Sequence, residues 1–239
     1  MVTTSPGPFA DEFGDCYRAM AASVPVVAVS HHQAATARRT PIAAVIHHGI
    51  DVEAIPEGDG DGGYALFLGR MSPDKGVHTA ARVARAGGTP LTIASRIQGP
   101  TEHDYYRGAV ESLLGDDVAY VGEVGGAAKS ELIGRTSCLL NSLAWTEPFG
   151  MVMIEALAQG TPVVATPGGS VPELIDDGVT GFVRSSDVYL ALTLRAVPTL
   201  DRSRCRQAAA KRFSTRRMVA DHLAMYERIV AERHPRRAA

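Results

Sequence analysis

The sequence has few cysteines, no long apolar run and almost no net charge. Its three cysteines, Cys16, Cys138 and Cys205, lie far apart and form neither a CxxC pair nor a Cys/His cluster, so we expect a reduced, cytoplasmic protein with no metal site. No apolar segment approaches the ~18 residues of a membrane-spanning helix. We expect no signal peptide, because no basic region precedes an apolar one near residue 1. The formal net charge of −2 argues against nucleic acid as a partner.

What the sequence does contain is an ordinary globular composition and an alternation of strands and helices. Hydrophobic residues make up 45% of the 239 residues and charged residues 21%, which is typical of a chain that buries a core. Short β-branched runs at 25–29 and 42–46 indicate buried parallel strands. Ser30 is a suitable N-cap for a short helix between them, and apolar spacing predicts an earlier helix over 9–22. This pattern predicts an α/β protein.

A polar stretch rich in Gly and Asp, which has no core-forming residue, interrupts the alternation at 57–63. The alternation then resumes and continues to about residue 184, which predicts a doubly wound parallel sheet with ligands at the strand carboxyl ends. Its helices include one over 105–114 and one that begins at Lys129. We therefore divide the chain into a partial N-terminal Rossmann-like domain (1–56), a linker (57–63), a complete Rossmann-like domain (64–200) and C-terminal helices with a basic tail (201–239).

Two carboxylates stand eight positions apart around a Pro-Phe-Gly turn, at Glu147 and Glu155. Pro148 fits a first helical turn, so we expect a helix that begins near Phe149 or Gly150, with Glu147 on the incoming loop. The free amides at such a helix start attract a phosphate or a sugar oxygen. A generic pair of glutamates at this place is more often a solvated turn that the helix dipole favours, and that alternative stays open.

A second cluster follows the predicted strand at 64–68. Arg70 and Lys75 lie on a turn in which Gly69 and Gly76 allow close approach of the backbone. Two cations at the carboxyl end of a parallel strand suit a diphosphate. The segment is neither a Walker loop nor a GxGxxG turn, which disfavours a nicotinamide oxidoreductase. A solvated basic turn is the alternative.

Adjacent histidines, His47 and His48, follow the strand at 42–46. Neighbouring residues on an extended chain point to opposite sides, and no carboxylate or third histidine stands at ligand spacing in the sequence. We therefore interpret them as loop histidines at a domain junction and not as metal ligands.

Together, the Gly69-Arg70…Lys75-Gly76 turn and the block from Glu147 to Glu155 resemble the signature of the retaining nucleotide-sugar glycosyltransferases of the GT-B fold, glycosyl transferases group 1 or family four. The resemblance implies transfer of a sugar from a nucleoside diphosphate sugar to an acceptor hydroxyl, with retention at the anomeric carbon and without a metal or other cofactor. It implies the following roles: Arg70, Lys75 and Glu147 in catalysis; Gly69, Arg70, Lys75, Gly150 and Met151 at the donor diphosphate; Glu147, Phe149 and Gly150 at the donor sugar; Glu155 at the ribose; and Val124 and Lys129 at the base. For Lys129, a solvated position in a first helical turn is equally open.

The sequence also departs from the family pattern. The family has a fuller first domain, often with a His before the Gly of a turn that here reads Thr4-Ser-Pro-Gly7, so Pro6 stands at that place. His48 stands where Asn is usual, and Ser95-Arg96 where the family has Gly. These departures keep a second interpretation open, in which the chain is a catalytically incomplete remnant that binds the donor.

The C-terminal segment is basic, with eleven Lys or Arg against three acids between residues 202 and 237. This excess favours contact with anionic lipid at the inner face of the membrane, although solvated helix faces and a frayed tail are the preferred interpretation. By resemblance, the last helix returns to the first domain. The acceptor, whether a sugar, a lipid or a small molecule, is not fixed by the sequence. The unfinished first sheet leaves an edge for a second copy or a partner chain.

Overall fold

The structure, a computed structural model, describes residues 1–9 and 11–233 as two parallel sheets with helices packed on them. The basic residues of the predicted tail at 236 and 237 lie outside the described residues. The smaller unit consists of β1 (Thr3–Thr4), α1 (Asp11–Ala21), β2 (Val26–Ala28), α2 (His31–Thr36) and β3 (Ile42–Val45). Its three strands are parallel, in the order β1-β2-β3.

The larger unit contains β4 (Ala65–Arg70), α3 (Val77–Gly87), β5 (Leu91–Arg96), α4 (Gly99–Tyr105), β6 (Val118–Gly122), α5 (Gly126–Arg135), β7 (Cys138–Asn141), α6 (Met151–Ala158), β8 (Val163–Ala165), α7 (Val171–Leu174), β9 (Gly181–Val183) and α8 (Asp187–Leu194). Two helices follow it, α9 (Arg202–Arg212) and α10 (Thr215–Arg233). The predicted α/β class is confirmed.

The larger sheet is wound in both directions from its first strand. Its order is β6-β5-β4-β7-β8-β9, and every neighbouring pair is parallel. The chain moves outward from β4 through β5 to β6, and then crosses back to β7 and continues to β9. Loops leaving β4 and β7 therefore diverge and leave a crevice at the carboxyl ends of these strands, which is where such sheets bind ligands.

Helices cover both faces of this sheet. On one face, α3 and α8 pack on apolar side chains that include Phe67, Ile93 and Leu140. On the other, α6 and α9 pack over Leu66, Leu139 and other buried residues. Burial of each such side chain contributes roughly 2 kcal/mol before the entropy cost of folding, so the sheet is a rigid support for the loops at its edge.

Two helix starts differ from the predictions. The helix expected over 105–114 begins earlier as α4 at Gly99, and continues through a π turn (Tyr106–Val110) and a 3-10 turn (Glu111–Leu113). Pro100 lies in its first turn, where proline is tolerated. The Glu102 carboxylate accepts a hydrogen bond from the backbone N–H of Gln98 at 2.5 Å. The helix expected to begin at Lys129 begins at Gly126, with Gly125 as its N-cap. Glycine is among the residues that the N-cap position accepts.

The segment 57–63 lies against the larger unit. Its amides at Gly58, Gly60 and Gly62 donate to the carbonyls of Gln159, Gly134 and Arg135 at 2.8–3.0 Å. Three of its seven residues therefore donate backbone hydrogen bonds to the larger unit, and these bonds fix the segment against it.

Helix α10 returns to the smaller sheet. Met218, Met225 and Ile229 pack near Val27 and Ile46. Tyr226 is 42% exposed, because it is turned about 100° from Met225 around the helix axis. Among the described residues, no helix has both the length and the apolar character that crossing a bilayer requires.

Candidate functional site

A cavity of about 580 Å³ opens at the carboxyl ends of the strands in the larger sheet, where the loops after β4 and β7 diverge. All ten residues that the sequence assigned to a donor site line it: Gly69, Arg70, Lys75, Val124, Lys129, Glu147, Phe149, Gly150, Met151 and Glu155. These residues come from segments up to 86 positions apart, and the topology of the sheet brings them together. Their individual roles remain predictions.

The turn that carries Lys75 is fixed by contact with the loop after β7. Gly76 has φ +73°, and a Cβ on it would lie 1.9 Å from the carbonyl oxygen of Ser142. The Ser142 hydroxyl donates to the Gly76 carbonyl at 2.8 Å, and the Ala144 amide donates to the Asp74 carbonyl at 3.0 Å. Only glycine fits this close approach without strain, and the result is that Lys75 faces the Glu147 loop.

Lys75 and Glu147 form an ion pair. The Lys75 Nζ donates to Glu147 Oε2 at 2.6 Å, and the two side chains are 18% and 15% exposed. The ammonium also lies 4.5 Å from the centre of the Trp145 ring, a cation–π contact that holds it in position. In this state the cation is neutralised by the carboxylate. Trp145 was not predicted as a site residue, although its position two residues before Glu147 was the available signal.

The loop that carries Glu147 is held from behind by the segment after β8. The Ser170 amide donates to the Glu147 carbonyl at 3.0 Å, and the Ser170 hydroxyl donates to the Phe149 carbonyl at 2.5 Å. A Cβ on Gly169, which has φ +61°, would lie 2.0 Å from the Glu147 carbonyl oxygen. The backbone around the first glutamate is therefore fixed by hydrogen bonds and close packing.

Helix α6 begins at Met151, after Gly150 in the left-handed region at φ +86° and ψ +67°. The predicted start near Phe149 or Gly150 was one or two residues early, because a left-handed residue precedes the first helical turn. Gly150 and Met151 line the cavity as expected. Phe149 is only 3% exposed, so it forms the floor of the cavity and most of its ring lies in the core.

The second glutamate pairs with the predicted base-side lysine. Glu155 lies one turn into α6, and its carboxylate accepts from Lys129 Nζ at 2.8 Å. Val124 lines the wall beside them. Two unpredicted residues, Arg96 at the end of β5 and Glu123 after β6, also line this part, with Nε and Oε1 4.0 Å apart. Each residue closely follows a short run with strand-like composition, at 90–94 and at 118–121, and this was the available signal in the sequence.

Arg70 is the most accessible cation of the cavity. Its side chain is 50% exposed, and its guanidinium nitrogens lie 3.5 Å from carboxylate oxygens of Asp74 and Glu102. Both separations are too long for strong hydrogen bonds, so the guanidinium is available for an anionic ligand.

The smaller unit contributes two residues to the cavity, Pro6 and His48. The pyrrolidine ring of Pro6 has no side-chain group that donates or accepts a hydrogen bond. His48 stacks edge-on to Phe149, with ring centres 5.0 Å apart, and burial lowers the pKa of its imidazole. The buried Ser30 hydroxyl also joins the two units, because it donates to the Pro148 carbonyl at 2.7 Å.

A second polar cluster lies at the junction of the two units, behind Phe149. The Glu173 carboxylate accepts from His47 Nε2 at 2.9 Å and from the amides of His31 and His32 at 2.8 and 2.6 Å. Burial lowers the pKa of His47. Burial alone would raise the pKa of Glu173, but the hydrogen bonds from His32, His47 and His31 bring it below its usual value. The carboxylate that contacts His47 is therefore one that lies 126 residues away in the sequence.

Several arginines of the predicted basic C-terminal segment form hydrogen bonds within the molecule. Arg202 donates to the carbonyls of Gly58, Gly134 and Thr136 at 3.0–3.3 Å, and burial lowers its pKa. Four other arginines in the described part of this segment also bind carbonyls or carboxylates: Arg206, Arg212, Arg217 and Arg228. Their charges are therefore less available to a lipid surface than the count of eleven indicated.

Comparison with known proteins identifies a family and several relatives. Residues 51–193 match the family described as Glycosyl transferases group 1. A D-inositol 3-phosphate glycosyltransferase of Mycolicibacterium smegmatis is 31% identical over 222 residues, covering 82% of this chain and 50% of that protein. An uncharacterized 41.2 kDa protein in the cps region of Klebsiella pneumoniae is 28% identical over 168 residues, covering 68% of this chain and 45% of that protein. The chain thus spans about half the length of the curated relatives it matches.

Solved structures resemble it as well. AviGT4, a glycosyltransferase involved in avilamycin A biosynthesis, has a TM-score of 0.71 and 27% identity, covering 86% of this chain and 64% of AviGT4. HepE of Anabaena in complex with UDP-glucose has a TM-score of 0.79 and 20% identity, covering 96% of this chain and 72% of HepE. The two sheets are therefore arranged as in GT-B glycosyltransferases.

Proposed function

The chain belongs to the Glycosyl transferases group 1 family, and on that premise we propose that its cavity binds the nucleoside diphosphate sugar donor of a retaining glycosyltransferase. The observation that carries the proposal is the convergence of ten residues, chosen from sequence motifs alone, on one cavity at the crevice of the larger sheet. Two relatives support the donor class: one is a glycosyltransferase by name, and HepE was solved with UDP-glucose.

The diphosphate lies between the two cations of the β4 turn and the start of α6. Arg70 and Lys75 neutralise the negative charge that grows on the diphosphate as its bond to the anomeric carbon breaks. Gly69 lets the phosphates approach the backbone, and the amides of Gly150 and Met151 point their dipoles at the same group. Loss of one such contact typically costs a few kcal/mol of barrier.

The two glutamates divide the rest of the donor between them. Glu147 binds hydroxyls of the donor sugar together with Phe149 and Gly150, and orients the anomeric carbon towards the acceptor hydroxyl. Glu155 accepts hydrogen bonds from the ribose diol. The ion pairs support this order of sugar, diphosphate, ribose and base along the cavity. Glu147 pairs with Lys75, which is assigned to the diphosphate, and Glu155 pairs with Lys129, which is assigned to the base. Val124 flanks the base.

Titration calorimetry with UDP, GDP and ADP tests donor binding. One of the three should bind in a 1:1 ratio, and Arg70→Ala should weaken that binding at least ten-fold. Arg85→Ala is the matched control, because Arg85 pairs with Asp117 on the surface and does not line the cavity. Failure of all three nucleotides to bind a chain that circular dichroism shows to be folded would refute the proposal.

A second candidate function is donor binding without transfer. The observation that favours it is Pro6, which lines the cavity but has no side-chain hydrogen-bonding group, where the family often has a histidine. Incubation with the nucleotide sugar of the preferred base, with and without candidate sugar, lipid and small-molecule acceptors, separates the two. Release of nucleoside diphosphate that depends on the acceptor supports the transferase, whereas tight binding without release supports the remnant.

A further inference from the structure

Three side chains with metal-binding atoms meet at the junction of the two units. Each of His31, His47 and Glu173 offers one ligand atom, and these atoms all lie within 4.8 Å of one another. The three come from separate elements: His31 begins α2, His47 follows β3, and Glu173 lies in α7 of the larger unit. The group is not part of the donor cavity, whose lining contains none of the three residues.

One separation between ligand atoms is close to that of a zinc site, and none exceeds 4.8 Å. Zn²⁺ binds His nitrogen at about 2.0–2.1 Å and carboxylate oxygen at about 2.0–2.2 Å in a tetrahedron, which places ligand atoms roughly 3.3 Å apart. The His47 Nε2 and Glu173 Oε2 atoms are already 2.9 Å apart. The His31 ring stands nearly perpendicular to that of His47, with centres 5.9 Å apart. Because His31 is exposed, rotation of its side chain can close the remaining gap.

The surroundings hold the other two ligands in place. The amides of His31 and His32 donate to the two carboxylate oxygens of Glu173 at 2.8 and 2.6 Å, which fixes the orientation of the carboxylate, and such outer hydrogen bonds are usual around metal ligands. The Arg217 guanidinium donates to the His47 carbonyl at 2.8 Å, and its charge is paired with Asp221 at 2.8 Å. The backbone of His47 is therefore fixed as well.

From this geometry we propose that His31, His47 and Glu173 bind one divalent transition-metal ion, with Zn²⁺ the best fit. Two imidazoles and one carboxylate are typical zinc ligands, and a fourth position remains on the solvent side beside the exposed His31. Two ligands belong to the smaller unit and one to the larger, so the ion joins the units. When bound, the ion replaces the direct hydrogen bond between His47 and Glu173 and fixes the orientation of the two units relative to each other.

The test is calorimetric titration of the untagged, EDTA-dialysed chain with Zn²⁺, because an affinity tag of histidines would itself bind zinc. The chain should bind one ion, and His31→Ala and Glu173→Gln should each weaken binding at least ten-fold. His31→Ala is the decisive variant, since an exposed side chain can be truncated without loss of the fold. The matched control is His32→Ala, which removes a neighbouring imidazole but keeps the amide that contacts Glu173.

Thermal unfolding gives a second readout. An ion that binds only the folded chain raises the melting temperature, so Zn²⁺ should stabilise the wild-type chain and His32→Ala but not His31→Ala, and EDTA should reverse the effect. The proposal is overturned if the wild-type chain binds no zinc, if His31→Ala binds as tightly as wild type, or if His32→Ala loses as much affinity as His31→Ala.

Discussion

Replacement of Glu147 by Gln should strengthen the binding of a nucleoside diphosphate, although Glu147 belongs to the donor site. In the ligand-free chain the Lys75 ammonium is held by the Glu147 carboxylate at 2.6 Å. A diphosphate that uses Lys75 has to compete with this carboxylate, and also brings its own negative charge close to it. Glutamine keeps the shape of the side chain but removes the charge, so the cation is released to the ligand.

The magnitude follows from the burial of the pair. An ion pair in full solvent is worth up to ~1 kcal/mol, whereas these side chains are only 18% and 15% exposed, so the attraction is screened less. We expect a gain of about 1–2 kcal/mol, which corresponds to roughly 5- to 30-fold in affinity. Lys75→Met should have the opposite effect and weaken nucleoside diphosphate binding by at least as much.

The assay is calorimetric titration of the preferred nucleoside diphosphate and of its sugar conjugate into both variants. Glu131→Gln, an exposed glutamate on α5 outside the donor cavity, is the control for a change in net charge. The gain in Glu147→Gln should be smaller for the nucleotide sugar, because that variant also weakens contact with the sugar hydroxyls. Unchanged or weaker binding of the bare nucleoside diphosphate to Glu147→Gln would refute the competition between ligand and carboxylate.

Three stability predictions follow from backbone and hydrogen-bond geometry, each measured by urea unfolding. Gly76→Ala should lower the free energy of unfolding by about 2 kcal/mol more than Gly63→Ala, since both have positive φ but only Gly76 abuts a carbonyl oxygen; equal losses would contradict this. Arg202→Met should lower the free energy of unfolding by about 2–4 kcal/mol, because backbone carbonyls lose their donor. The control Arg204→Met, at an exposed position, should change the free energy of unfolding by less than ~0.5 kcal/mol. Ser30→Ala should cost about 1–3 kcal/mol, because one hydroxyl both caps α2 and binds across the two units; a loss below ~0.5 kcal/mol would show that these bonds are replaced by water.

Most of the fold could be predicted because many of its strands are short, β-branched runs, as in a parallel sheet covered by helices. The run 25–29 forms β2, which is buried throughout. The run 42–46 was also predicted to be a buried strand, but it forms the edge strand β3, whose residues are only half-buried. Helix starts were less predictable. The Gly-Pro pair at 99–100 and the glycines at 125 and 126 indicate a loop locally. The structure shows instead that Pro100 lies in the first turn of α4, and that Gly125 is the N-cap of α5.

The donor cavity could be predicted because its residues follow strand ends in recognisable motifs. Arg70 and Glu147 each stand in a loop whose position is set by the strand before it, and parallel strands bring such loops to one edge. What the motifs do not contain is the pairing among these residues. That Lys75 contacts Glu147, and Lys129 contacts Glu155, depends on side-chain directions that only the folded chain fixes.

The cluster at the junction of the two units was beyond sequence reasoning for a different reason. Glu173 lies 126 residues after His47 and 142 after His31, and no spacing rule connects residues that belong to different sheets. Its position follows from the docking of α7 against the start of α2. The histidine pair was therefore interpreted without the carboxylate that completes the cluster around one of its members.

Binding of a nucleoside diphosphate with its ribose at Glu155 can be measured by comparing two nucleotides that differ only at the ribose. The preferred nucleoside diphosphate and its 2′-deoxy analogue are titrated into the wild-type chain and Glu155→Gln. Wild type should bind the ribose form roughly 5- to 30-fold more tightly, because the deoxy form lacks a hydrogen bond to a charged group. Glu155→Gln should lose most of this preference. Equal binding of the two nucleotides by wild type, or a preference that survives in Glu155→Gln, would contradict the placement of the ribose at Glu155.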